Sequence, residues 1–113
     1  MPLNRYVTEM GMGVDVHGGD YTKAAKRAVS DALRHSSLNF FRVLDKQVSD
    51  MHITVKIGAQ QPDQVDIHAV AGEVPYGHVT VQPEVGGLDV RSSDNSDVLV
   101  MVNAAILVHF DDA

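Results

Sequence analysis

The stretch Val98 to Phe110 constrains this chain most, because it is a long apolar run rich in β-branched residues and interrupted at Asn103. A membrane-spanning helix needs about 20 apolar residues, so the run is too short to cross a bilayer. It reads instead as a strand covered on both faces, of the kind found at the centre of a sheet. The rest of the chain must then pack around it. At 113 residues, 44% of them apolar, there is room for one compact domain over 1–113 with a small core.

Period-2 alternation supplies more strands. Arg5 to His17 reads as one, with Glu9, Gly11, Gly13, Asp15 and His17 on one face and Met10, Met12, Val14 and Val16 on the other. The apolar row is expected to face the core. Met51, Ile53, Val55 and Ile57 alternate with His52, Thr54 and Lys56 in a second strand. Val79 and Val81 begin a third, which Pro83 confines to an edge or to its end.

Helices fill the intervals. Asp20 is a candidate N-cap for a helix to about Arg34, whose buried stripe is Tyr21, Ala24, Ala25, Ala28, Val29, Ala32 and Leu33. Phe40 to Val48 has the spacing of a short second helix, with Phe40, Phe41, Leu44 and Val48 inward. Pro62 marks a helix start, with Val65, Ala69 and Val70 as its buried side and Pro75 beyond its end. Gly86-Gly87 and the polar run Ser92 to Asp97 bracket a short connection. The order β-α-(α)-β-α-β-β predicts an α+β, mixed two-layer sandwich with about four strands and the helices on one face.

Composition excludes several chemistries. The absence of cysteine removes disulfides, thiolate metal sites and cysteine nucleophiles. Nine basic against fifteen acidic residues give a formal charge of −6, which disfavours nucleic acid and anionic membrane surfaces as partners. The start of the chain shows no basic segment leading into an apolar one, so the expected location is cytoplasmic. The sequence to Lys56 carries eight basic and six acidic residues, and the remainder one basic and nine acidic. That asymmetry favours contacts between subunits, and a sheet with helices on one face leaves the other to be covered; a homo-oligomer is expected.

One segment looks chemical. Gly11 to Asp20 packs four glycines, two carboxylates and one imidazole into ten residues. Its GxG start lacks the third glycine of a dinucleotide fingerprint, because Val16 stands there. Asp15 and His17, two apart on a strand, share a face where the strand runs out into a helix. Such a pair can polarise a substrate, move a proton near neutral pH, or bind a metal jointly, with Glu9 as the third ligand if any metal binds. No cofactor motif is visible. Gly11 and Gly13 leave room for a ligand or for another backbone. Gly18 and Gly19 permit unusual backbone angles, and the first helix amides with Lys23 could receive an anionic group. The opposite possibility is that the glycines serve close packing and the polar pair serves the turn.

The motif GMGVDVHG resembles the GxGxDxHG signature of a broadly distributed family of short bacterial conserved hypothetical proteins, also found in plants with N-terminal extensions. Gly11, Gly13, Asp15, His17 and Gly18 match that signature, and the segments at Asp20–Leu33, Val74–Gly77, Gly86–Leu88 and Asn103–Val108 extend the resemblance over most of the chain. What it implies is a family of unassigned function; it supplies no reaction, cofactor or fold.

Asn103 interrupts the most apolar strand, where a buried amide without partners costs roughly 1 to 3 kcal/mol, so a loop backbone or a ligand should bond it. His109 ends that strand and would approach His17 or Glu9 only in one register. No HxH, HxxxH or HExxH spacing is present, and no serine has a nucleophile-elbow context. The expectation is a small oligomeric protein with a site for a small polar metabolite at the strand-to-helix junction. Asp15 and His17 would be its acid–base pair, and Gly11, Gly13, Gly18, Gly19, Lys23 and Asn103 would contact the ligand. Lyase, isomerase or hydrolase chemistry fits that set. The alternative is a non-catalytic ligand-binding or assembly module in which the glycines serve subunit packing.

Overall fold

The computed structural model describes residues 3–35, 50–75 and 77–111. The helix expected over Phe40 to Val48 lies outside them. Strand β1 (Leu3–Asp15) leads into helix α1 (Tyr21–Arg34), then β2 (His52–Ala59), a 3-10 turn at Pro62–Gln64, helix α2 (Ile67–Ala71), β3 (His78–Val85), β4 (Leu88–Arg91) and β5 (Val98–Asp111). This is an α+β fold. Among the described residues no helix is long and apolar enough to cross a membrane.

The apolar run takes the central place its composition demands. β5 pairs antiparallel with β1 along one side and with β2 and β4 end to end along the other, while β3 joins β2 in parallel as the far edge. β4 is the strand the sequence reading missed. β2 covers β5 only from Asn103 to His109, which leaves the backbone of Val98 to Met101 open; the turn at Gly86-Gly87 lays Leu88 to Arg91 against it.

Pro83 sits in the edge strand β3, as its missing N–H requires. The helix expected after Pro62 is two short pieces. Val65 turns extended, and the Asp66 carboxylate then accepts from the His68 and Ala69 amides to start α2. Val65 and Val70 are buried there.

The helices lie on one face. Val100, Val102, Ala104, Ile106, Val108 and Phe110 of β5 are buried against them, together with Ile53, Val55, Ile57 and Ala59 of β2. The alternate residues of β5 face outward, so within one chain only one side of the apolar strand is covered, which corrects the expectation of two.

β1 overturns its own reading. Its inward row is not the methionines but Gly11, Gly13 and Asp15, while Met10 and Met12 are 66% and 52% exposed. The cause is α1, whose Ala24, Ala25, Ala28 and Ala32 are fully buried. A Cβ on Gly13 would lie within 3.0 Å of Ala24 O and Ala28 N, and one on Gly11 within 3.0 Å of Ala28 O and Ala32 N. Small faces small, and the helix backbone occupies the space where a groove for a ligand was one of the two expectations.

Candidate functional site at the end of the first strand

β1 stops at Asp15, two residues earlier than the alternation suggested, because Gly18 and Gly19 take φ of 90° and 62°. That turn sends the two polar residues of the motif in different directions. Asp15 is 3% exposed and points toward α1. The Asp20 amide donates to its Oδ2 at 2.9 Å, and Lys23 Nζ and Arg27 Nη1 stand 3.8 and 3.9 Å from its Oδ1. Asp20 itself caps α1 by accepting from the Lys23 amide at 3.0 Å. Asp15 thus ties the turn to the first two turns of the helix.

His17 turns outward, with its side chain 85% exposed. Its Nδ1 lies 2.8 Å from Asp97 Oδ2, and the Gly18 and Val98 amides donate to Asp97 Oδ1 at 3.0 and 2.8 Å. Those contacts, the Gly18 amide first and then the imidazole, push the Asp97 carboxyl down to about 2. Asp97 is therefore an acceptor at neutral pH. It fixes the His17 tautomer with hydrogen on Nδ1 and leaves Nε2 as the free basic nitrogen.

The polar run Ser92 to Asp97 is built to hold that carboxylate in place. Asp94 accepts from Ser92 Oγ, Ser96 Oγ and the Ser96 amide, and those bonds, the Ser96 hydroxyl first, push it down to about 2 as well. Both carboxyls lie below their ordinary value of 3.8 in the folded chain. Their contribution is present above roughly pH 4 and lost as the pH falls toward about 2. Stability measured by urea midpoint should fall across that interval, and the decline should shrink in D94N/D97N. An unchanged acid limb in that variant would contradict the loop geometry.

A pocket of about 250 Å³ opens beside His17, with Val16, Val90 and Leu99 as apolar wall and His17, Arg91 and Asp97 as polar wall. Arg91 brings the cation there. Lys23 instead lines a separate depression with Lys26, Arg27, Ser30 and Glu73 on the helix face. Asn103 is exposed rather than buried, since it belongs to the outward row of β5, and it lines a third depression of about 310 Å³ at mid-sheet. His109 pairs with His52 at the opposite end of β5 from Asp97, so it does not approach His17. Glu9 pairs with Ile106, and among the described residues no three His, Asp or Glu side chains gather as metal ligands. The junction therefore brings together His17, Gly18, Asp97 and Arg91. Sequence reasoning missed Asp97 and Arg91, which lie 80 and 74 positions from His17 along the chain; the run of Ser and Asp before β5 was their only signal.

Comparison with known proteins matches the chain over residues 5–108 to a family of conserved hypothetical proteins, Lin0512_fam. A crystal structure of an FtsZ-like protein of unknown function from Nostoc punctiforme PCC 73102 is similar throughout, with 32% identity, a TM-score of 0.89 and 99% of each chain covered. No curated protein matches. The chain belongs to the Lin0512_fam family.

Proposed function

We propose that the junction is a site for a small anionic metabolite, at which His17 Nε2 exchanges a proton and Arg91 holds the anionic group. The observation that carries this reading is the 2.8 Å contact between His17 Nδ1 and Asp97, made on the wall of a pocket that also presents a guanidinium. A carboxylate fixed by two backbone amides holds the imidazole in one tautomer and orientation. The apolar wall of Val16, Val90 and Leu99 accommodates a short carbon skeleton.

Asp15 is then a positioning residue, holding the turn that carries His17, and Asp97 takes the role of partner first ascribed to it. The chemistry served is proton transfer in a lyase, isomerase or hydrolase step. Neither the family nor the Nostoc protein has an assigned activity to set against this.

The test uses inorganic phosphate and succinate as probes in thermal unfolding and titration calorimetry. A probe at 100 times its Kd should stabilise the protein by about 2.7 kcal/mol. R91A should abolish that stabilisation. H17A should keep most of it and lose the proton uptake or release that accompanies binding, read from titrations in buffers of different ionisation enthalpy. If neither probe, nor a wider panel of small carboxylates and phosphates, stabilises the wild-type protein, the reading fails.

A further inference from the structure

The outward face of the sheet, apolar along β1, β4 and most of β5 and polar along β2 and β3, is covered by no described residue. The β1–β5 register sets Met10 beside Ala105, Val14 beside Met101 and Thr8 beside Leu107, all on that face, with Met12 beside Asn103 at its middle. At about 3.3 Å by 4.8 Å per strand residue the five strands present roughly 750 Å². A standard protein interface needs about 800 Å² from each partner, so the whole face is close to that size.

We infer that a second copy of this chain packs face to face on the sheet, about a two-fold axis near Asn103. Three observations select that occupant and that geometry. The outer edge of β1 is closed by its own helix, since the Met12 amide donates to Asp31 Oδ2 at 3.0 Å and the Val14 carbonyl accepts from Arg27 at 2.6 Å. Extension of the sheet by another strand is therefore blocked along that stretch of β1, which leaves the face and the β3 edge. The face also carries charges of both signs, with Lys56 and Glu84 exposed on it on neighbouring strands. Finally, Asn103 is the polar residue at the middle of the outward row of β5, and an amide donates to and accepts from its own symmetry mate. It gives the interface a register, as a buried asparagine does in a coiled coil.

The depression at Asn103 is hollow because Gly58, Gly86 and Ala105 have little or no side chain. Methionine is the side chain best suited to fill such a hollow, and Met10 and Met12 stand out from the same face.

The arrangement reaches the candidate site. Val16, Val90 and Leu99, the apolar wall of the His17 pocket, lie at one end of this face. An antiparallel partner turned about Asn103 brings its own Leu107 end over Leu99. The second copy thus supplies the missing wall of the pocket, a consequence that rests on the site reading above, whereas the dimer does not.

Sedimentation and light scattering on the full chain without ligand test the dimer. Wild-type protein near 50 μM should have about twice the 12.2 kDa chain mass. M12D and N103D, each placing like charges across the axis, should weaken the dimer roughly 100-fold while keeping the wild-type circular dichroism. I67D, an equally apolar-to-acidic change on the helix layer, should leave it intact. A monomeric wild type overturns the inference, as does an oligomer that M12D and N103D both leave unchanged; if M12D misfolds, N103D decides. For the wall, phosphate binding should weaken at least tenfold in a monomeric N103D, and unchanged affinity there overturns the shared pocket. A wild-type dimer that binds no anion overturns the site and leaves the dimer standing.

Discussion

Alanine at Gly13 should cost this protein about 3 to 5 kcal/mol, and alanine at both Gly11 and Gly13 should leave it unfolded at room temperature. The new methyl of G13A would press on the α1 backbone at Ala24 and Ala28 and stand 2.7 Å from Arg27 Cβ. Backbone cannot step aside as a flexible side chain does. The helix must lift from the sheet, and lifting it loosens Ala24, Ala25, Ala28 and Ala32 together, all of them fully buried. A domain of this size has a total stability on the order of 10 kcal/mol, so the loss is a large fraction of it. The comparison is G18A. Gly18 also has a special role, with φ of 90°, but a Cβ there meets only Asp15 Oδ2, at 3.9 Å. That substitution should cost only the left-handed backbone penalty of roughly 1 to 2 kcal/mol. Urea midpoints of the three variants check the ranking; a G13A loss below that of G18A would mean that α1 does not ride directly on β1.

The same contact explains where the sequence could and could not be read. Val98 to Phe110 as the central strand, α1 with its Asp20 cap, and the alternation of β2 follow from local spacing and caps, and each stands in the structure. The orientation of β1 does not follow from spacing. Hydropathy ranks Met10 and Met12 above Gly11 and Gly13, but a helix lined with alanine approaches a strand most closely where there is no side chain at all. The two small-residue patterns, read together, point to that contact; read separately they do not. Asn103 was misplaced for a related reason. A strand apolar along its whole length implies two covered faces, and the single chain supplies one.

The site was legible in part. His17 and Gly18 are its strand-side half, and the motif marks them. Asp97 and Arg91 arrive through the β4–β5 hairpin, whose pairing no local pattern announced, and Asp15 is drawn inward by Asp20, Lys23 and Arg27. Separation along the chain, not subtlety of residue type, hid them.

The same hairpin brings a second polar pair together, and its removal should have the other large effect. The Tyr21 hydroxyl, on a side chain 5% exposed at the start of α1, donates to Asp89 Oδ2 from β4, while Asp89 Oδ1 is buried with no donor among the described residues. Burial first, and then the Asp89 carboxylate, raise the tyrosine above its ordinary value of 10.0. A folded value above the unfolded one means that this contribution is fully present below about pH 10 and is lost as the pH rises through the folded value. Y21F removes the donor and strands a carboxylate that already has one unpaired oxygen, at a cost of about 2 to 3 kcal/mol. It should also flatten the alkaline decline in stability. D89L removes the charge and its hydrogen bond together, so Y21F/D89L should be more stable than the two single losses sum to, by about 1 to 3 kcal/mol. Additive losses would instead make Tyr21 an apolar wedge whose hydroxyl contributes nothing. The coupling is the informative quantity, because a buried carboxylate with one oxygen unpaired adds little net stability by itself. What the pair supplies is a fixed attachment of β4 to α1, and with it the placing of Arg91, two residues on from Asp89, against His17.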